Sequence, residues 1–529
     1  MHKNKRLGRK IAIWTVISEG NRIIGKPILS ISIFVPSTNK PSKLANLISG
    51  ILTIALCATV FFLAWRAARR GQYQWALLLL LAGGLLLRIY AASDFFLHEW
   101  DERYHALAAK NMADHPLRPT LYDHPVLPYN YEDWSSNHIW LHKQPLALWA
   151  MALSLKLFGI SEIALRIPSI LLSTLAIWLT YAIARHYTDE KTALLAAFLH
   201  AIHGLIIALT AGRAATDHPD LLFLFFIELG VFFSIRFLRE PRWYMSVLIG
   251  LSIGLGVLTK WLPAFIVAPV WGLLVLHRFS WKKIFFHLSL IVGVAIAVFL
   301  PWQLYIFRAF PLEAAHEQAY NILHFFEGLE GHSEPWYYHL AKLRIIFGEL
   351  IYLPLVWLTY KRMRQLFRKK RADLSLLVWI WVPLAIFSTA QTKMQAYTII
   401  SAPAFFILTA LFFRYLKIYK ERLCFPRYAN YLALVLLILL PVRYSIEKIK
   451  PFSLRERSPE WAENMKALKE RYEMKERTVV FGVEKPIEFM FYTGATAYPF
   501  LPEPAVVDSL SDVGFGVYRY EEGTLKTFY

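Results

Sequence analysis

Cysteine is almost missing from this chain. Its 529 residues hold only Cys57 and Cys424, both in or beside apolar runs. Two such thiols define neither a disulfide framework nor a zinc-type ligand spacing. Acidic charge is scarce as well, with 38 Asp and Glu against 58 Lys and Arg, and charged residues of both signs make up only 18%. No internal repeat is visible. What the chain has instead is apolar bulk: 56% of its residues are hydrophobic and the mean hydropathy is +0.39. Several runs approach the roughly 20 residues that a helix needs to cross a bilayer. A soluble globule would need a core of improbable size, so the chain reads as a polytopic membrane protein.

A net charge of +20 could point to nucleic acid or to anionic lipid. Here the cations sit in short loops between apolar runs: Arg236, Arg239 and Arg242; Arg278, Lys282 and Lys283; Lys361–Arg371 (KRMRQLFRKKR); and Arg414, Lys417, Lys420, Arg422 and Arg427. Such loops mark the cytoplasmic side of a membrane protein, so the charge reads as topology and nucleic acid is excluded.

Candidate spans run at about 46–65, 75–92, 165–185, 192–210, 220–237, 244–259, 262–277, 285–307, 345–360, 374–391, 396–415 and 430–445. The short apolar stretch 146–158 fits the interface better than a crossing. The expected architecture is an all-α polytopic membrane protein of about 11–13 transmembrane helices. Residues 1–74 form an N-terminal extension with an extra apolar helix, 75–445 the transmembrane catalytic module, and 446–529 a small α/β domain outside the membrane. In that domain Trp461, Met465, Leu468 and Tyr472 share a helix face, while Thr478–Val483 and Gly514–Tyr520 have strand patterns. With the basic loops inside, the loops 93–144 and 308–344 and the C-terminal tail lie outside. Residues 1–45 carry one acid (Glu19) and many cations, against the charge rule for that side.

The candidate chemistry gathers on the outer side. Asp101-Glu102 follows the run ending near Ala92. An isolated acidic pair is ordinarily a solvated helix start, but ionisable residues beside a membrane are functional-site candidates. Lys143, in His142-Lys143-Gln144-Pro145, closes the same loop, and alone would be an interfacial lysine snorkelling to water. Arg166 begins the next span. Arg213 and Asp217 close another, where a local ion pair is the plain explanation. Lys260 sits between two spans, and Lys393 with Tyr397 starts another. Several cations and two acids at the outer ends of separate helices would ring one cavity, and fixed cations at a lipid boundary suit a phosphate-bearing headgroup. The histidines raise a metal reading, in which His316 and His332 would be the ligands of a divalent cation; no tight zinc spacing is present, and the sequence leaves metal dependence open.

These residues resemble the signature of the GT-C membrane glycosyltransferases. The resemblance lies in the acid pair after the first core span, the Lys143–Leu146 element, Leu157-Phe158-Gly159 followed by Arg166-Ile167-Pro168-Ser169, Asp217 before a span, Leu258-Thr259-Lys260, and Lys393 with Tyr397. The dolichyl-phosphate-mannose-protein mannosyltransferase-like group and the aminoarabinose lipid A transferases are the most similar, over about 75–445. The resemblance implies a multi-pass bacterial inner-membrane enzyme, its active site facing the periplasm. It would move a sugar from a polyprenyl-phosphate donor to a lipid A-like lipid, a protein hydroxyl or an envelope glycan, with inversion. It implies Asp101 as the catalytic loop acid, base or orienter, and Glu102 as its partner. Lys143, Lys260 and Lys393 would meet the donor phosphate, with Arg166, Arg213, Asp217 and Tyr397 around them. The chain departs from the family where Lys143-Gln144-Pro145 replaces Lys-Pro-Pro and Lys260-Trp261 replaces Lys-Gly. The rival reading is a lipid-carrier flippase without chemistry, which would be expected to show repeated halves and midplane polar groups.

Overall fold

A computed structural model describes residues 10–19, 22–32, 43–363, 374–419, 427–472, 474, 477–521 and 523–528, with only the backbone given for 10–19, 22–32, Arg362 and Arg427. The basic run 361–371 beyond Met363 and the segment holding Arg422 and Cys424 lie outside the described residues.

The strands β1 (Lys10–Glu19) and β2 (Arg22–Ser32) form an antiparallel hairpin ahead of the helices. The membrane part follows as α1 (Lys43–Arg69), α2 (Tyr73–Ala92), α3 (Asp101–Met112), α4 (Pro145–Phe158), α5 (Glu162–Tyr187), α6 (Glu190–Ala201), α7 (Gly204–Thr210), α8 (Asp217–Phe237) and α9 (Trp243–Lys260). Then come α10 (Val267–Val275), α11 (Trp281–Ala309), α12 (Pro311–Phe326), α13 (Tyr338–Phe347), α14 (Tyr352–Met363), α15 (Leu374–Thr389), α16 (Ala402–Ile418) and α17 (Arg427–Ile449). Six of the described helices are long and apolar enough to cross a membrane alone. The remaining expected spans fall on shorter, more polar or bent helices.

Two expected spans are broken. Residues 192–210 bend by 49° between α6 and α7, where His203 caps α7 through its ring nitrogen. Residues 345–360 do not form one rod: the helices on either side of Gly348 meet at 118°. Gly348 has φ +96° and ψ 150°, which only glycine adopts without strain. The stretch 146–158 is the helix α4, whose Leu153, Leu157 and Phe158 remain exposed, as expected of a helix dipping into lipid.

The α8 helix carries Asp217, Asp220 and Glu228 among phenylalanines, yet it is one of the most buried helices of the bundle. It is packed between α5 and α9. Near the middle of the bundle, Thr180 donates to Glu228 (2.8 Å) and meets His200 Nδ1 (2.8 Å). Arg88 donates to Ser173 (2.9 Å) close by. All of these side chains are sealed from solvent. Burial in a low-dielectric interior makes such groups expensive unless hydrogen-bonded, so the network fixes how α2, α5, α6 and α8 register.

The C-terminal part holds α18 (Glu460–Arg471), β3 (Thr478–Phe481), α19 (Pro486–Thr493), β4 (Thr496–Tyr498), α20 (Pro504–Asp512), β5 (Gly516–Glu521) and β6 (Thr524–Thr527). The sheet order is β4-β3-β5-β6, parallel except for β5–β6. Its apolar core is continuous with that of the outer loop: Phe481, Phe489 and Phe491 share one cluster with Leu97, Leu107, Trp140 and Leu148. Polar bonds lock the same contact. Tyr492 donates to Glu162 (2.8 Å), Lys466 pairs with Glu162 (2.8 Å), and Tyr498 accepts from the Val126 and Leu127 amides.

Lys110, in the second half of α3, donates to the carbonyls of Met490 (2.6 Å) and Phe491 (2.9 Å) at the end of α19. Burial pushes its ammonium down to about 7, the charge of Lys469 adds to this, and Asp123 offsets only part. An unfolded lysine holds its proton to about pH 10, so between those values the unfolded chain binds more protons and stability rises with pH. Melting of the detergent-solubilised protein should therefore move upward from about pH 7 to 10, and Lys110→Met should flatten that rise. An identical slope in both proteins would contradict the assignment.

Candidate active site

Asp101 opens α3, and its Oδ2 accepts the backbone amide of Thr216 at 2.7 Å while Lys143 Nζ stands 4.0 Å away. Thr216 precedes α8 in the left-handed conformation, φ 66° and ψ 0°, which costs a non-glycine residue about 1–2 kcal/mol. That conformation turns its amide toward α3. Burial alone would raise the Asp101 pKa. Lys143, His105, the Thr216 amide and His142 outweigh it and hold the carboxyl well below the usual carboxylate range. Asp101 is therefore an anion at any physiological pH.

Glu102 faces the other way, into the protein. Arg166 grips it with both arms, Nε to Oε1 at 2.6 Å and Nη2 to Oε2 at 2.8 Å. The His98 amide (2.8 Å) and His218 Nε2 (3.2 Å) complete its shell. Arg166 also donates to the carbonyls of Ala92 and Phe96 (both 2.8 Å) and of Asp94. Both side chains of this pair are fully buried. Gly212 is required here: with φ +70°, a Cβ at this position would lie 2.1 Å from Glu102 Oε1.

The local ion pair expected between Arg213 and Asp217 does not form. Residues 213–216 precede the helix, so a four-residue spacing does not bring their side chains together as it would on α8. Arg213 binds Asp94 instead, with Nε and Nη2 both at 2.9 Å. Arg455 (2.6 Å) and Arg457 (3.7 Å) reach the same carboxylate from the chain leading to α18. Asp217 goes to His105 Nδ1 at 2.8 Å, and both are buried. Neither Asp94 nor these C-terminal arginines stood out in the sequence.

Lys260, at the last turn of α9, pairs with Asp220 and lies 5.2 Å from the centre of the Tyr397 ring. Asp220 also accepts the Thr216 hydroxyl. Trp261, where the family pattern has glycine, adopts φ 84° and ψ −168°, a region that is nearly glycine-only. Lys393 stands apart. Its side chain is buried and donates to the carbonyls of Ala390 and Gln391, and its amide binds the His332 carbonyl at 3.0 Å.

Glu313 accepts from Tyr129, while His316 packs against Tyr131 and Tyr320. Among the described residues no group of three His, Cys, Asp or Glu could hold a metal ion. His142 Nδ1 meets Glu317 at 3.3 Å, and its ring stacks on Trp134 with centroids 4.5 Å apart.

Asp101, Lys143, Lys260 and Tyr397 thus share one region with Asp220, drawn from five elements. Beside it is a cavity of about 220 Å³ lined by Leu141, Gln144, Trp261, Gln303, Glu317 and Asn321 among others, between α11 and α12. A larger cavity, about 550 Å³, runs along the second half of α3 against α19 and does not include Asp101. Of the cations expected at the site, Lys143 and Lys260 keep 21% and 26% of their side-chain surface exposed, whereas Arg166 is sealed and Arg213 keeps 9%. Only the two lysines have the reach to meet an incoming anion.

Arg166→Ala should leave Glu102 charged and unpaired, a loss of about 3–5 kcal/mol, and Gly212→Ala should disturb the same carboxylate by contact. Both are expected to lower the melting temperature by many degrees. A variant melting within two or three degrees of the parent would show that this pair does not hold the outer face together.

Residues 142–305 match the family model described as dolichyl-phosphate-mannose-protein mannosyltransferase. The undecaprenyl phosphate-alpha-4-amino-4-deoxy-L-arabinose arabinosyl transferase of Pseudomonas aeruginosa is 29% identical over 291 residues, 50% of this chain and 49% of that protein. The chain thus spans about half the length of the curated relatives that it matches most strongly. The crystal structure of ArnT from Cupriavidus metallidurans bound to undecaprenyl phosphate superposes with a TM-score of 0.57 at 15% identity, covering 82% of this chain and 87% of that one. The oligosaccharyltransferase AglB of Archaeoglobus fulgidus, solved with an inhibitory peptide and a dolichol-phosphate, gives 0.54 at 14%, covering 84% and 69%. Part of the chain is thus similar to the dolichyl-phosphate-mannose-protein mannosyltransferase family and to the aminoarabinose transferases, and its fold is that of the ArnT and AglB membrane proteins.

Proposed function

We propose that the chain is an inverting glycosyltransferase of the bacterial inner membrane. It moves a sugar from a polyprenyl-phosphate donor to an acceptor on the periplasmic side: a lipid A-like lipid, a protein hydroxyl or an envelope glycan. The observation that carries this reading is the placing of Asp101 4.0 Å from Lys143, in one region with Lys260 and Tyr397 and at the outer ends of separate helices. The relative's name specifies an undecaprenyl-phosphate-linked aminosugar for that enzyme, and the two solved neighbours hold undecaprenyl phosphate and dolichol-phosphate. A shared fold supports the same class of donor here.

The chemistry needs little proton transfer on the donor side. The bond between the anomeric carbon and the phosphate oxygen breaks, and the leaving phosphate is already a stable anion. Lys143 and Lys260 stabilise the charge that grows on it, as preplaced cations do in a water-poor site. The acceptor oxygen attacks the opposite face and forms the new glycosidic bond, and the oxonium so made, far more acidic than a carboxyl group, gives its proton to water. The low pKa of Asp101 makes it a poor general base but a firm hydrogen-bond acceptor. Its task is to orient the acceptor oxygen and to stabilise positive charge developing at the sugar carbon. Glu102, sealed under Arg166, acts by fixing the start of α3. Lys393, Arg213 and Asp217 hold the surrounding loops.

The flippase reading is not favoured. The polar groups near mid-bundle, Arg88, Thr180, His200 and Glu228, are sealed from solvent, while the partly exposed Asp101, Lys143 and Lys260 lie together at one end. A transport path would need such groups to line a channel.

Asp101→Asn should reduce transfer by roughly 10²–10³-fold, on the scale of losing one preplaced electrostatic partner, with donor binding nearly intact. Lys143→Ala should weaken binding of undecaprenyl phosphate by about 1.5–3 kcal/mol. Transfer near the parental rate in the first variant, or unchanged affinity in the second, removes that residue from the mechanism. Because the Asp101 carboxyl is held ionised, the rate from about pH 5 to 7 should show no limb for its protonation. A limb with an apparent pKa near 5 would contradict the orienting role.

A further inference from the structure

We propose that Asp220 is a positioning residue, which fixes the Asp101 carboxylate and the Lys260 ammonium relative to each other. This rests on the transferase reading above. Asp220 lies in the first turn of α8 and is 1% exposed. Its Oδ1 accepts from Lys260 Nζ and its Oδ2 from Thr216 Oγ1. Thr216 in turn gives its amide to Asp101 Oδ2 at 2.7 Å. One buried carboxylate therefore holds the two groups that flank the proposed reaction, the first directly and the second through a single threonine.

The arrangement has a physical logic. The left-handed turn at Thr216 is unfavourable for a side chain bearing a Cβ. It persists because both polar groups of that residue are occupied, the hydroxyl by Asp220 and the amide by Asp101. Lys260 is long and mobile by nature, and a cation that must meet a phosphate gains from a fixed position. Asp220 supplies that position from below, while the Tyr397 ring bounds it from the side at 5.2 Å. Asp217, three residues earlier, is turned away to His105, so it cannot serve in this place. Asp220 is too buried to touch a sugar, and its influence runs through its neighbours.

The full chain in detergent, assayed for release of undecaprenyl phosphate from a panel of undecaprenyl-phosphate-linked sugars, tests this. Asp220→Ala should lower kcat by roughly 30-fold or more while the donor KM stays within about threefold. Asp220→Asn, which can still accept the Thr216 hydroxyl, should lose distinctly less. Thr216→Val should lose part of what Asp220→Ala loses, and the double variant no more than Asp220→Ala alone, since the Thr216 bond is already absent in that variant. Purely additive losses, an effect on KM alone, or parental kcat in Asp220→Ala would overturn the proposal. So would activity losses that follow only the drop in melting temperature across the three single variants. If Asp220→Ala does not fold, Asp220→Asn and Thr216→Val carry the same comparison. No release by the parent protein with any donor, despite correct folding, would sink the transferase reading and this inference together; parental turnover with an unimpaired Asp220→Ala would sink this inference alone.

Discussion

The outer face depends on one buried contact, the pair of Arg166 and Glu102. Arg166 ties the start of α5 to the start of α3 through two bonds to the carboxylate, and to the 92–96 turn through three carbonyls. Removing two charges from water is unfavourable unless every donor and acceptor is met, and here they are: the His98 amide and His218 occupy what Arg166 leaves. The direction of α3 follows. With Glu102 drawn inward, its neighbour Asp101 must project elsewhere, toward Lys143 and the loop before α8. The two adjacent acids thus have opposite environments, one sealed and one open to the site.

A second constraint comes from the C-terminal domain. Asp94, next to the carbonyl that Arg166 holds, collects Arg213 from the membrane module and Arg455 and Arg457 from the polypeptide entering that domain. Burial would raise its pKa, and the His98 hydrogen bond with the surrounding guanidinium groups drives it well below the usual range instead. The charge is therefore always present to hold the arginines. Together with the shared apolar core beneath α19, this makes the small sheet a lid fastened over the back of α3 rather than an appended module. Its place explains why the loop 93–144, long and poor in regular structure, can present Asp101 and Lys143 at fixed separation.

Much of this was legible in the chain, for a definite reason. A long apolar run that crosses lipid by itself becomes a helix because only a helix pairs its backbone within one segment, and most run boundaries lie within a few residues of helix ends, the 345–360 run excepted. The acids and lysines at those ends were visible as breaks in the runs. Pairing was not legible. Arg213 and Asp217 have helical spacing but sit where the chain has not yet become a helix. Asp220 reads as one more polar residue in the first turn of α8, and Asp94 as a loop acid; only tertiary contacts with Lys260, Thr216 and three distant arginines give them meaning. The break at Gly348 was likewise hidden, because a glycine inside an apolar run is as compatible with a continuous helix as with a corner.

The charge balance of the site decides how an anionic donor could be met. Two carboxylates, Asp101 and Asp220, face two partly exposed lysines, so the charges of these side chains balance and do not repel one another. The two couples differ, however. Lys260 is bonded directly to a buried carboxylate, whereas Lys143 stands 4.0 Å from a partly exposed one. An incoming phosphate therefore draws Lys143 away at little electrostatic loss, while Lys260 is bound in place by a partner that the phosphate cannot displace without stranding a buried charge. The first lysine is suited to capture and the second to hold a fixed reference point. Two of the four non-glycine residues with positive φ among the described residues adjoin this spot, the left-handed Thr216 before α8 and Trp261, at φ 84°, after α9. Backbone conformations of this kind survive where the surroundings over-determine them, and at Thr216 the surroundings are its bonds to Asp101 and Asp220.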